Sequence, residues 1–140
     1  MAQFARLKPV TILIVENEAI VLLEFAQWLT ESGLIVLTAG DADEAIILLD
    51  THPEIEVLMT DINMPGSMDG IRLAHHVRRR WPPLKIIVVS GMLQTELSDL
   101  PEGSVFLPKP IARPFLWREL SGLLNAADPG PNGPRTDLAA

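Results

Sequence analysis

Five short apolar runs, at residues 12–15, 34–37, 57–59, 86–89 and 105–107, constrain this chain most. They are rich in Val, Ile and Leu and mostly do not alternate with polar residues. A strand with one face in water alternates. A run that does not alternate suits a strand covered on both faces, as in a parallel sheet flanked by helices. Between the runs the apolar spacing becomes helical. Leu22, Phe25, Ala26 and Leu29 fall at i, i+3, i+4 and i+7, as do Ala42, Ala45, Ile46 and Leu49. Gly70, Leu73, Ala74 and Val77 repeat the spacing after Asp69, and Leu116, Leu120, Leu123 and Leu124 form a last stripe. Asp41, with Glu44 three residues on, is a candidate N-cap, and Pro114 suits a first helical turn. The order is strand and helix in alternation, with only a weak helical signal before the fifth run. Such alternation predicts an α/β doubly wound sheet with right-handed crossovers. Ligands bind such sheets outside the carboxyl ends of the strands.

The length of 140 residues suits one domain, predicted over residues 9–125 between a loose leader at 1–8 and a Pro- and Gly-rich tail at 126–140. Apolar residues at 48% and charged residues at 21% indicate a globular chain. No apolar run approaches a membrane span, and the first one is too short for a signal-peptide core, so a cytoplasmic protein without membrane attachment is expected. The absence of cysteine removes disulfides, thiolate nucleophiles and cysteine–zinc sites. A net charge of −7 disfavours binding to nucleic-acid phosphates. The one basic run, Arg78-Arg79-Arg80, reads as the solvated last turn of a helix. Adjacent His75 and His76 point in different directions on a helix and are not expected to share a metal.

The strand ends carry the chemistry. The first run ends in Glu16-Asn17-Glu18, the third in Thr60-Asp61 and the fourth in Ser90-Gly91, and Lys109-Pro110 follows the fifth. Taken singly, each has a structural explanation: first-turn acids, a turn cap, an ordinary strand exit. Together at the rim of one sheet they suit phosphoryl transfer. Asp61 is a short carboxylate able to form an acyl phosphate. An acidic pair can hold Mg²⁺, which offsets charge on the transferring group. Lys109 offers a point charge, and Ser90 a hydrogen bond, to a phosphoryl oxygen.

The pattern resembles the receiver domain of two-component response regulators. The resemblance spans about residues 10–125 and is carried by Thr60-Asp61-Ile62-Asn63-Met64-Pro65, by Met68-Asp69-Gly70, by Ser90 after its strand, and by Phe106-Leu107-Pro108-Lys109-Pro110. It implies a flavodoxin-like five-stranded parallel sheet in the order 2-1-3-4-5, with helices on both faces. It further implies Asp61 as phosphoacceptor, Lys109 as the phosphate-binding lysine, and Ser90 and Phe106 as the switch pair. Glu16, Asn17, Asp61 and the backbone carbonyl of Asn63 would be the Mg²⁺ ligands. The implied phosphoryl donor is a histidine kinase or a histidine phosphotransfer protein. Phosphorylation would repack the face of the fourth helix, fifth strand and fifth helix for an output protein not identified by the sequence.

Three features depart from the family pattern. Glu16-Asn17 replaces a fully acidic pair, which predicts weaker Mg²⁺ binding. The stretch from Ser90 to Lys109 is shorter by about three residues, an estimate from motif spacing, so a short or irregular fourth helix near residues 94–97 is expected. Gly66-Ser67 lengthens the phosphoacceptor loop by one residue. The main expectation is a phosphorylation-dependent module that is not a turnover enzyme. With no DNA-binding domain expected after the fold, it would act through protein contacts, as a monomer or weak homodimer. A pseudo-receiver that binds partners without efficient phosphorylation is the alternative. A Mg²⁺-dependent hydrolase fares worse, because Asp61-Ile62-Asn63 lacks a second carboxylate and no general base is evident.

Overall fold

A computed structural model describes residues 8–91 and 99–125. The chain runs β1 (Thr11–Val15), α1 (Ala19–Glu31), β2 (Ile35–Ala39), α2 (Ala42–Thr51), β3 (Ile55–Asp61), α3 (Gly70–Arg80), β4 (Lys85–Ser90), β5 (Val105–Pro108) and α4 (Arg113–Asn125). The strands form one parallel sheet in the order β2-β1-β3-β4-β5, as expected. The expected leader, the tail and the fourth helix near residues 94–97 fall almost wholly outside the described residues.

The apolar runs fail to alternate because side chains on both faces of the sheet are covered. Successive side chains leave a strand on opposite sides. Ile12, Ile14, Val57, Met59, Ile87 and Val89 face α1 and α4, where they meet Phe25, Leu29, Leu116 and Leu120. Leu13, Val15, Leu58, Ile86 and Val88 face α2 and α3, where they meet Ala45, Leu49, Leu73 and Val77. Trp28, Trp81 and Trp117 are half-buried against these clusters. Burying a large aliphatic side chain contributes roughly 1.5–3 kcal/mol, so the two layers together supply much of the sheet's stability.

The second run departs from expectation. Its strand is Ile35–Ala39, two residues further along at its end, and it is covered on both faces only at Ala39. β2 is an edge strand paired with β1 alone, and Ile35 is 48% exposed. Sheet position, which the run itself does not encode, sets that exposure.

Helix starts follow the expected capping. The Asp41 side chain accepts from the Glu44 amide at 2.9 Å, and Glu44 reaches back to the Gly40 amide. Asp69 caps α3 by accepting from the Arg72 amide at 2.9 Å. The basic run does close α3, but two of its three side chains are engaged. Arg78 donates to the carbonyls of Pro82 and Leu84, and Arg80 pairs with Asp50 at 2.7 Å. His75 lies 2.7 Å from the Asp99 carbonyl, whereas His76 meets the Trp81 ring edge-on, so the two imidazoles diverge. Among the described residues no helix is long and apolar enough to cross a membrane.

Candidate functional site

The strand order reverses between β1 and β3, and a crevice opens there outside the carboxyl ends of both strands. Glu16 directly follows β1 and Asp61 ends β3, so the two carboxylates flank the crevice. Both are nearly excluded from solvent, with side chains 1% and 7% exposed. Lys109 reaches in from the segment after β5. Its Nζ donates to Glu16 Oε1 at 2.8 Å and lies 3.3 Å from Asp61 Oδ2. The Lys109–Pro110 peptide bond is cis. Glu16 is further held by the Glu18 amide, which donates to Oε2 at 3.1 Å.

Ser90 ends β4, is buried, and accepts the Lys109 amide on its carbonyl at 2.9 Å. That bond sets Ser90 beside the lysine. Phe106 is half-buried on the α2–α3 side of β5. Asn63 is exposed in the loop after β3 and gives its amide to the Asp61 carboxylate. Asn17 is exposed at the start of the β1–α1 turn. The structure thus brings Glu16, Asp61, Lys109, Ser90 and Asn63 to one rim, with Asn17 beside Glu16. Phe106 lies on β5, three residues before Lys109.

Two features of the site were not read from the sequence. Gly70 appears there as part of a helical stripe and of the Met68-Asp69-Gly70 motif, without a packing role, yet it lets α3 start against the backbone of Asp61. A Cβ at Gly70 would overlap the Asp61 carbonyl oxygen and stand 2.7 Å from its carbon. Gly70 also donates its amide to the Ile62 carbonyl at 2.9 Å. The second is a tie from Ser67 to Asp43 at 2.7 Å. A glycine following a capping Asp was the only signal for the first, and nothing local marks the second.

Burial, and then the Glu16 charge, push the Asp61 carboxyl above its ordinary value despite the opposing pull of Lys109. Burial works against the Lys109 ammonium, but the hydrogen bond to Glu16 and the charges of Asp61 and Glu16 outweigh it, so its pKa is raised. With a raised carboxyl pKa, the folded state binds more protons than the unfolded state between the unfolded and folded values. Stability therefore falls as pH rises through that window, and the cost stays in place above it. Asp61→Asn removes this titration. Its melting temperature should exceed that of the wild type at pH 7, and the difference should vanish below the unfolded carboxyl value. Equal melting temperatures at pH 7 would contradict this account.

The donors in the crevice are all oxygens. Two buried carboxylates answered by one ammonium leave an excess negative charge, which adds to burial in raising the Asp61 pKa. Mg²⁺ takes oxygen ligands and keeps several waters, so these residues fit it. The fit uses few protein ligands, since among the described residues no three acidic, His or Cys side chains gather as a metal cage.

A 2-1-3-4-5 parallel sheet with a lysine-bridged carboxylate pair at its switch point defines a doubly wound domain with its charged groups gathered at the carboxyl rim. The chain belongs to the response regulator receiver domain family, whose profile matches residues 12–118. It is 31% identical over 122 residues to the sensor kinase CckA of Brucella abortus, covering 84% of this chain and 13% of that protein. It is 37% identical over 93 residues to the transcriptional regulatory protein PdtaR of Mycobacterium tuberculosis, covering 65% of this chain and 43% of PdtaR. The chain therefore spans less than half the length of these curated relatives. Among solved structures, a response regulator receiver protein from Sinorhizobium medicae matches with a TM-score of 0.79 and 34% identity over 86% of this chain and 98% of that one. A CheX–CheY–BeF3–Mg²⁺ complex from Borrelia burgdorferi matches with a TM-score of 0.77 and 27% identity over 84% of this chain and 91% of that one. Receiver domains are generally signalling domains that bind Mg²⁺ and work with histidine kinases and phosphotransfer partners.

Proposed function

We propose that residues 9–125 form a phosphoacceptor receiver that takes a phosphoryl group on Asp61 from a histidine kinase or a histidine phosphotransfer protein. The carrying observation is the buried Asp61 carboxylate at the end of β3, with Lys109 Nζ 3.3 Å from Oδ2. An Asp61 oxygen attacks phosphorus, the P–N bond of the donor phosphohistidine breaks, and its electron pair leaves on the imidazole nitrogen. Lys109 balances charge on a phosphoryl oxygen, and the Ser90 hydroxyl donates to another. Glu16, Asp61 and the Asn63 carbonyl would hold Mg²⁺, with Asn17 offering at most a neutral oxygen. Bound there, the metal offsets the negative charge gathered on the phosphoryl oxygens. The net charge of −7 favours output through protein contacts rather than nucleic acid, and a cytoplasmic location fits the donors proposed. Ser90 and Phe106 would relay the change to the β5–α4 side, where a protein partner reads it. The protein is not a turnover enzyme in this reading.

Incubation with Mg²⁺ and acetyl phosphate should add one phosphoryl group by intact mass, and Asp61→Asn should abolish the gain. An unchanged gain in Asp61→Asn would overturn the assignment. The exposed, neutral Asn17 favours a second reading, a pseudo-receiver that binds partners without efficient phosphorylation. A folded wild type that takes up nothing, from either acetyl phosphate or phosphorylated donor proteins, would favour it. Uptake restored by Asn17→Asp would place the cause at that residue.

A further inference from the structure

The loop between β3 and α3 carries the Asn63 carbonyl, and its two ends are pinned at nearly one point. Ile62 donates its amide to the Val89 carbonyl at 3.1 Å, and Gly70 donates its amide to the Ile62 carbonyl at 2.9 Å. Residues 63–69 therefore leave the sheet and return to it as a closed excursion. At its far side the Ser67 hydroxyl donates to Asp43 Oδ1 at 2.7 Å. Asp43 lies in the first turn of α2, a turn fixed by the Asp41 cap and the bond from the Gly40 amide to Glu44. Gly66, at φ +105°, brings the loop against α2, where an added Cβ would stand 3.8 Å from Asp41 Cβ. The residues that lengthen this loop, Gly66 and Ser67, are thus the ones that tie it to a second rigid element.

We propose that Ser67 is a positioning residue for the cation site: its bond to Asp43 holds the phosphoacceptor loop so that the Asn63 carbonyl is presented to Mg²⁺. This inference rests on the proposed Mg²⁺-assisted reading of the crevice. A loop closed only at its base samples many orientations of that carbonyl, and binding must then bear the cost of ordering it. A hydrogen bond to a carboxylate is among the stronger neutral–charged contacts, and here it selects one loop arrangement in advance. The tie matters more in this chain because Asn17 supplies no charge to the site, so a larger share of cation binding falls on Asp61 and the loop.

The test compares wild type, Ser67→Ala and Ser67→Thr by Mg²⁺ calorimetry without phosphodonor, together with amide hydrogen exchange of residues 63–68 in metal-free protein. Ser67→Ala should weaken Mg²⁺ binding by roughly threefold to tenfold, about the effect of one lost hydrogen bond at a solvent-exposed position. It should speed loop exchange and lower the melting temperature of the metal-free protein by no more than a few degrees. Ser67→Thr, which keeps the hydroxyl, should restore the wild-type affinity. Equal Mg²⁺ affinity in wild type and Ser67→Ala would overturn the positioning role and leave the phosphoacceptor reading intact. A wild type that binds no Mg²⁺ while Asp61 still takes up phosphate would overturn both the positioning role and the Mg²⁺ part of that reading.

Discussion

Lys109→Met should destabilise the fold by about 3–5 kcal/mol at neutral pH, the cost typical of removing one partner from a buried ion pair. Methionine fills a similar volume, so the loss is electrostatic. Glu16 and Asp61, with side chains 1% and 7% exposed, would face each other with no cation between them. The loss should shrink on acidification, because the folded state can then protonate a carboxylate whose pKa is already raised by burial and by Glu16. It should also shrink in Mg²⁺, which can stand in for the missing ammonium, so millimolar Mg²⁺ should raise the melting temperature of the variant more than that of the wild type. Adding Glu16→Gln to Lys109→Met should recover much of the stability, because the two residues share one interaction and their effects are not additive. Phosphoryl uptake should fall roughly 100-fold, the scale of losing one charge-stabilising donor at a reacting group. Urea unfolding at several pH values checks the stability part. A loss under about 1 kcal/mol at pH 7 would show that the carboxylates are not electrostatically dependent on the lysine.

Gly70→Ala should cost about 3 kcal/mol, at the upper end of ordinary overpacking, because the obstructing atoms are backbone and cannot rotate away. The added methyl would meet the carbonyl group of Asp61 and stand 2.8 Å from Ile62 Cα. Helix propensity acts in the opposite sense, since alanine is favoured over glycine within a helix by about 1 kcal/mol. Gly122 provides the internal control. It lies in α4, and a Cβ there would have nothing within 4 Å, so Gly122→Ala should be neutral or stabilising. Thermal unfolding of the two variants side by side separates packing from propensity. If both shift the melting temperature in the same direction, the close approach of α3 to β3 is not restrictive. Because the strain falls on Asp61, Gly70→Ala should also slow phosphoryl uptake in whatever fraction remains folded.

The strand-end acids, the serine and the lysine could be found in the chain because each lies one or two residues after an apolar run. Asp61, Ser90 and Lys109 were located in that way. The family resemblance was carried by the same motifs, and the strand order was what that resemblance implied. The helical stripes were legible for a similar reason: burial on one side writes a 3.6-residue period into the sequence, and Leu73, Ala74 and Val77 are all fully buried. The segment at residues 92–98, expected to hold a short helix, lies outside the described residues.

Other features depended on which elements became neighbours. The exposure of Ile35 reflects the place of β2 at the sheet edge, although its run looks like those of the central strands. The preference of Lys109 for Glu16 at 2.8 Å over Asp61 at 3.3 Å depends on how the chain after β5 returns across the rim. The need for glycine at position 70 arises from backbone meeting backbone, and the Ser67–Asp43 tie joins residues 24 apart. Local sequence determined the residue types at the strand ends, because hydrophobic period and turn chemistry act over a few residues. Distances, charge balance and close contacts were decided by packing, because they belong to pairs of elements that meet only when the sheet assembles.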